Sequence, residues 1–253
     1  MNAHSVGDTI VLTGRSLKHV TRSVDTIITT AVTPIALMLM FVYVFGGAID
    51  IGAESYVNYM LPGILLITVA SGVAYTSYRL FMDLKSGIVE RFQSLPIARS
   101  GILWAHVLTS VVAILLSLLL VVGVALLMGF RSSAGPAAWP AVAGILLLFT
   151  LALTWIAVIA GLSAQTVEGA GAFAYPLIFL PFISSAFVPT STMPAAVRAF
   201  AENQPVTSIV DAIRDLLAGN PVGDAIWTAL AWCLAILTVS YVVALTLYRR
   251  KVS

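Results

Sequence analysis

Six long stretches almost without charge constrain this chain more than any other feature. They run over 28–48, 58–79, 102–128, 140–162, 171–190 and 225–247, and the only Asp, Glu, Lys or Arg they meet are Arg79 and Asp224, at or just past an edge. A helix needs about 20 apolar residues to cross a hydrocarbon core ~30 Å thick. Each stretch meets that requirement, so the sequence predicts six transmembrane helices. The wider composition agrees: 60% of the residues are hydrophobic and 9% charged, whereas a soluble domain is about 25% charged. A soluble fold of this size could not hide that much apolar surface. The expected class is an all-α polytopic membrane protein, one transmembrane domain over 1–253.

Residues 1–27 are polar and mixed, without the layout of a cleavable signal peptide. Within them Leu17, Val20, Val24 and Ile27 recur at three- and four-residue steps, while Arg15, Lys18, His19 and Arg22 fall off that stripe. The pattern suits an N-terminal amphipathic helix lying on the membrane surface; a solvated tail that only sets orientation is the alternative. With the N-terminus inside, ten Lys and Arg fall on the inner side, and Arg131, Arg198 and Arg214 on the outer side. That asymmetry places both termini in the cytoplasm. The chain then sits in a bacterial plasma (inner) membrane, and Arg249, Arg250 and Lys251 anchor its end.

The connectors are unequal. The fifth stretch carries Pro176 and Pro181 and closes at Pro189, which predicts a kinked helix whose freed carbonyls need other partners. The outer connector over 191–222 reads as two short helices. Thr192 is the expected cap of the first, with Pro194 in its first turn. Pro205 ends that helix, and a second runs from Val206 to Ala218 with Gly219 as its cap. Val206, Ile209, Val210, Ile213, Leu216 and Leu217 form one face of the second helix, and Asp211 and Arg214 make an i,i+3 pair. The expectation is an outer re-entrant hairpin that dips into the leaflet or caps the outer mouth.

The inner connector, loop 80–101, is richer in charge than a turn requires. Over 83–95, Leu84, Ile88, Phe92 and Leu95 fall on one side of a helix, and Asp83, Gly87, Glu90 and Ser94 on the other. Pro96 stops it. A short amphipathic helix beneath the membrane, polar face toward the cytoplasm, is the reading.

Here the residues resemble a family. Asp83, the run Gly87-Ile88-Val89-Glu90-Arg91-Phe92, then Leu95-Pro96-Ile97 and Arg99 resemble the cytoplasmic loop after the second span in permeases of type-2 ABC exporters, the daunorubicin-resistance kind above all. The segment Asn203-Gln204-Pro205-Val206-Thr207, followed by Asp211 and Arg214, is similar to the family's Asn-Pro-hydrophobic-Thr segment, with Gln204 as an insertion. The resemblance implies a coupling helix seated in a groove of an ATPase. Asp83, Gly87, Glu90, Arg91, Leu95, Pro96 and Arg99 would form that contact, Glu90 and Arg91 foremost. It also implies two P-loop ATPase subunits, which carry ATP and Mg, and a second permease, identical or related. Membrane lipids complete the partners, with no nucleic acid and no cofactor in this chain. Spans two and five line the path in the family, so Tyr75, Tyr78, Phe173, Tyr175, Phe179 and Phe182 become candidate path residues. Asn203, Pro205, Asp211 and Arg214 mark the outer hairpin.

The residues themselves are consistent with an external motor. No stretch fits G-x-x-x-x-G-K-[ST], and Lys18, Lys85 and Lys251 are the only lysines. The spans carry no carboxylate that could relay protons or bind a coupling ion. His106 is the one histidine at membrane depth, and no His/Asp/Glu spacing suits a metal. The sequence therefore predicts a permease that moves a hydrophobic or amphipathic substrate, drug or lipid-like, and is not itself an enzyme. A glycolipid or polysaccharide exporter, or a stand-alone carrier or scaffold, is the alternative.

Overall fold

The structure, a computed structural model, describes residues 24–46, 55–86, 99–221 and 223–252. Among them every regular element is helical. α1 spans Val24–Met40 and continues as a π turn over Phe41–Phe45; α2 spans Tyr56–Lys85, α3 Arg99–Leu127 and α4 Ala138–Ser163. Two short helices follow, α5 Val167–Ala172 and α6 Ala174–Phe179, then 3-10 turns at Leu180–Ile183 and Thr190–Thr192. α7 Ala195–Asn203, α8 Pro205–Ala218 and α9 Ala225–Val252 complete the order. Four of these helices, α2, α3, α4 and α9, are long and apolar enough to cross a membrane, while Thr30–Phe45 and Val167–Ile183 are shorter apolar runs. The chain is a multi-pass helical membrane protein.

α2 is the central post, with α1, α3, α4, α5, α6 and α8 against it. Close approach is made possible by small residues. A Cβ on Gly72 would stand 2.4 Å from Ile114 of α3, one on Gly63 2.5 Å from Ala186, and one on Gly161 of α4 2.9 Å from the Ser77 carbonyl. Lipid tails are as apolar as leucine, so membrane helices associate through such tight backbone packing rather than through hydrophobic exclusion. At one end of the bundle, the Tyr56 hydroxyl donates to the Phe187 carbonyl at 3.3 Å. We call this the hairpin end, because α7 and α8 lie there. The opposite end, where α2 finishes and α3 begins, is the connector end.

Several boundaries differ from expectation. α2 does not stop at residue 79 but runs to Lys85, and the Ser86 amide bonds back to the Met82 carbonyl at 2.9 Å. Nothing between 79 and 85 breaks a helix, so the span absorbs the start of loop 80–101, and α3 absorbs its end from Arg99. Residues 1–23 lie outside the described part; from Val24 onward the chain already belongs to α1. The fifth stretch is broken rather than kinked. Pro176 has no N–H to give the Ala172 carbonyl, and α5 ends at Ala172; Pro181 sits in the 3-10 turn that ends α6. Thr192 is not a helix cap. Its hydroxyl donates to the Pro189 carbonyl at 2.8 Å, and α7 starts at Ala195 with Pro194 in the cap position.

Candidate functional site

Three places hold the residues that sequence reasoning singled out. The first is the connector end. Asp83 is expected on the cytoplasmic face of a separate coupling helix. Instead it lies in the last turn of α2 with its carboxylate turned to α3, where His106 Nε2 stands 3.2 Å from Asp83 Oδ2. The continued α2 fixes that direction. Ser86 Oγ donates to the Asp83 carbonyl at 3.1 Å and helps close the helix. Beneath this clasp, Leu80, Leu103, Val107, Trp155, Val158, Leu162 and Tyr248 form a buried cluster from α2, α3, α4 and α9. Trp155 meets Trp104 and Tyr241 edge-on, with ring centroids 5.2 and 4.8 Å apart. Both ends of the inner connector thus leave one packed base. Gly87, Glu90, Arg91, Leu95 and Pro96 lie outside the described residues, and Arg99 is the first residue of α3.

The second place is the aromatic set. Tyr75 and Tyr78 are exposed on α2, their rings 6.2 Å apart, with the Arg79 guanidinium 5.8 Å from the Tyr75 ring. Tyr175 and Phe179 are exposed on α6, at 62% and 60%. Phe173 packs partly buried against the core. Phe182 is a packing residue: it stacks on Phe187 at 4.8 Å, and Phe187 stacks on Phe41 of the π turn at 4.8 Å. The six candidates therefore divide. Four present rings outward and two help close the bundle, and among the described residues no ring contact joins the tyrosines of α2 to the rings of α6.

The third place is the hairpin end. α8 ends as its sequence predicts, with Gly219 in the left-handed conformation at φ 73°, but Pro205, expected to end the preceding helix, is the first residue of α8, behind Gln204 as its cap. Its apolar face is buried against α2, α4 and α9. Asp211 Oδ1 lies 2.7 Å from Arg214 Nη1. The Arg214 guanidinium also donates to the Ser185 carbonyl at 2.7 Å and to the Tyr59 carbonyl at 3.2 Å, and it lies 3.9 Å over the Tyr59 ring. Ser185 Oγ returns a hydrogen bond to Asp211 Oδ1 at 2.6 Å. One ion pair thus ties α2, the turn after Ile183 and α8. The pair is partly buried, Arg214 at 15% and Asp211 at 37% exposure, and the backbone carbonyls satisfy the arginine's remaining donors on the inner side.

Gln204, read in sequence as an insertion, is a working part. It is buried, its Oε1 accepts from the Val206 amide at 3.3 Å, and its Nε2 donates to the Ile183 carbonyl at 3.0 Å. Asn203 stays local, donating to the Ala199 carbonyl at 2.8 Å. Ser185 and Tyr59 escaped sequence reasoning, and Gln204 entered it only as an insertion. The available signal was a polar side chain next to a proline break in an apolar run, which is too general to single out these residues.

Comparison with known proteins finds relatives over most of the chain. A 222-residue match at 29% identity joins the chain to the daunorubicin resistance ABC transporter permease protein DrrB1 of Streptomyces coeruleorubidus, covering 86% of this chain and 77% of that protein. A 249-residue match at 28% joins it to the probable doxorubicin resistance ABC transporter permease protein DrrC of Mycobacterium tuberculosis, covering 97% and 89%. The sequence profile of the ABC-2 type transporter matches residues 8–218, most of the chain, and the chain belongs to that family.

Proposed function

We propose that this chain is the membrane-spanning permease of an ATP-driven exporter, worked by a separate P-loop ATPase. Family membership carries the reading. In it the connector over 87–98 is the docking point, with Glu90 and Arg91 making the main contact and Gly87, Leu95, Pro96 and Arg99 shaping it. Asp83 acts from behind, as the clasp to His106 that keeps the ends of α2 and α3 in fixed relation. A push on the connector is then delivered to two long helices at once. The full assembly has two ATPases, which carry ATP and Mg, and a second permease, identical or related.

In the membrane the chain crosses six times. The two further crossings are α1 with its π turn and the broken run Val167–Ile183. The connector end faces the cytoplasm together with both termini, in the inner membrane of a bacterium. The exposed rings of Tyr75, Tyr78, Tyr175 and Phe179 suit a hydrophobic or amphipathic cargo, drug or lipid-like, passed outward by alternating access. Phe173 and Phe182 shape that side from within. The test is co-purification with a candidate ATPase and measurement of ATP turnover in proteoliposomes. Glu90→Ala should lower transport-linked turnover about tenfold while leaving the complex assembled, because charged pairs at such a surface set register more than affinity. Turnover equal to wild type removes the role of Glu90; failure to co-purify removes the docking reading.

A further inference from the structure

Two cavities meet at the hairpin end, away from both the connector and the aromatic face of α6. One is apolar, about 300 Å³, lined by residues that include Leu61 and Leu65 of α2, Leu118 and Val122 of α3, and Val142 and Leu146 of α4. The other is polar, also about 300 Å³, lined by Ser55, Asn58, Arg131, Ser133, Arg214 and Asn220 among others. Phe130 and Leu217 line both. Each volume is at the small end of the range of ligand pockets, and side by side they have the two-part character of an amphiphile. The apolar slot is open between α3 and α4, where Leu119 and Trp139 are exposed. Trp139 marks the depth, since tryptophan favours the level of lipid headgroups.

The polar chamber is built rigidly. Asn58 Nδ2 donates to the Arg131 carbonyl at 3.0 Å, and the Arg131 amide donates back to Asn58 Oδ1 at 3.1 Å. Ser132 Oγ and the Ser133 amide both donate to the Leu217 carbonyl, at 2.7 and 3.1 Å, so the α3–α4 loop closes the end of α8. The charge leans positive. Arg214 is balanced by Asp211. Arg131 is exposed and, among the described residues, gives only Nη1 to protein, to the Phe130 and Leu126 carbonyls, so its Nε and Nη2 are open at the chamber. Among the described residues the chamber lining holds two arginines and no acid, and Asp215 lies outside that lining, its carboxylate 3.5 Å from Asn220 Nδ2. Guanidinium suits phosphate by shape as well as charge.

We propose that the paired cavities hold one anionic membrane phospholipid, its phosphate against Arg131 and one acyl chain in the slot between α3 and α4. This site is separate from the path proposed above and does not depend on the export reading. The test uses the purified full chain in detergent, loaded with phosphatidylglycerol or phosphatidylcholine of identical chains, with retained lipid counted by native mass spectrometry. Both lipids offer a phosphate to Arg131, but the choline cation of phosphatidylcholine would enter a chamber lined by Arg131 and Arg214, so wild type should retain one phosphatidylglycerol about tenfold more readily, as like-charge juxtaposition predicts. Arg131→Gln should abolish the preference and Arg131→Lys restore part of it. Ala143→Trp, which fills the slot from its exposed rim, should abolish retention while leaving the melting temperature unchanged. Equal retention of the two lipids, or full retention in Ala143→Trp, overturns the proposal. Displacement of the lipid by excess inorganic phosphate alone also overturns it, since the occupant would then be a free anion.

Discussion

Arg214 shows how much a single side chain can organise in a bundle with few charges. Its fork reaches Asp211, the Ser185 carbonyl and the Tyr59 carbonyl, and its face covers the Tyr59 ring. Lysine offers one compact charge and no plane, so Arg214→Lys cannot hold three directions and a stacking face together. We expect Arg214→Ala to cost about 1–3 kcal/mol, because Asp211 is 37% exposed and partly hydrated while the Ser185 and Tyr59 carbonyls lose their donor, and Arg214→Lys to recover less than half of that. Thermal melts in detergent, followed by the monodisperse fraction, measure both. The Asp211–Arg214 pair was legible in the sequence, because i,i+3 spacing on a helix leaves little choice. Ser185 was not, since it lies 26 residues from Asp211 in the chain and only the folded path brings them together. Asp83 was misplaced for a related reason. Its pattern on a helical wheel fits both the end of α2 and a separate helix, and only His106 across the gap decides between them.

Elements differ in how far their own sequence fixes them. α8 is almost fully determined locally, by a proline at its start, a left-handed glycine at its end and a continuous apolar face between. The run Val167–Ile183 is not. Two prolines announce a disturbance, but whether a membrane helix bends or breaks depends on what receives the freed carbonyls, and that comes from neighbours. The ends of α2 and α3 were also hidden, because polar residues at a span edge extend a helix as readily as they finish it. The contact of α2 with α4 is set by the absence of a side chain. Gly161→Ala would press a methyl against the Ser77 carbonyl, which is backbone and cannot step aside. The expected loss is about 1–3 kcal/mol. Gly144→Ala on the same helix meets nothing within 4 Å and should be neutral or stabilising by up to about 1 kcal/mol, from helix propensity alone. Paired melts of the two variants separate packing from propensity.

At the scale of the whole molecule, burial is uneven. In their most apolar windows, α2 is 78% buried by its own chain and α9 only 17%, so α9 turns most of its surface to lipid or to another subunit. The proposed orientation has a direct check. In a Cys233→Ala background, Gly135→Cys, at an open position in the α3–α4 loop, should react with an impermeant maleimide in intact cells. Ser86→Cys, at the connector end, should react only after permeabilisation. The reverse pattern would invert the topology. The placement of α8 also bears on how the protein is made. At fourteen residues it is too short to be threaded across a bilayer as a span, yet it is packed between α2, α4 and α9. Two of those walls are synthesised before it and the third after it. Its apolar face must therefore wait, half covered, until the final helix leaves the ribosome. A chain cut before residue 225 lacks the α9 wall of that face and is expected to be degraded faster than wild type in a pulse-chase experiment.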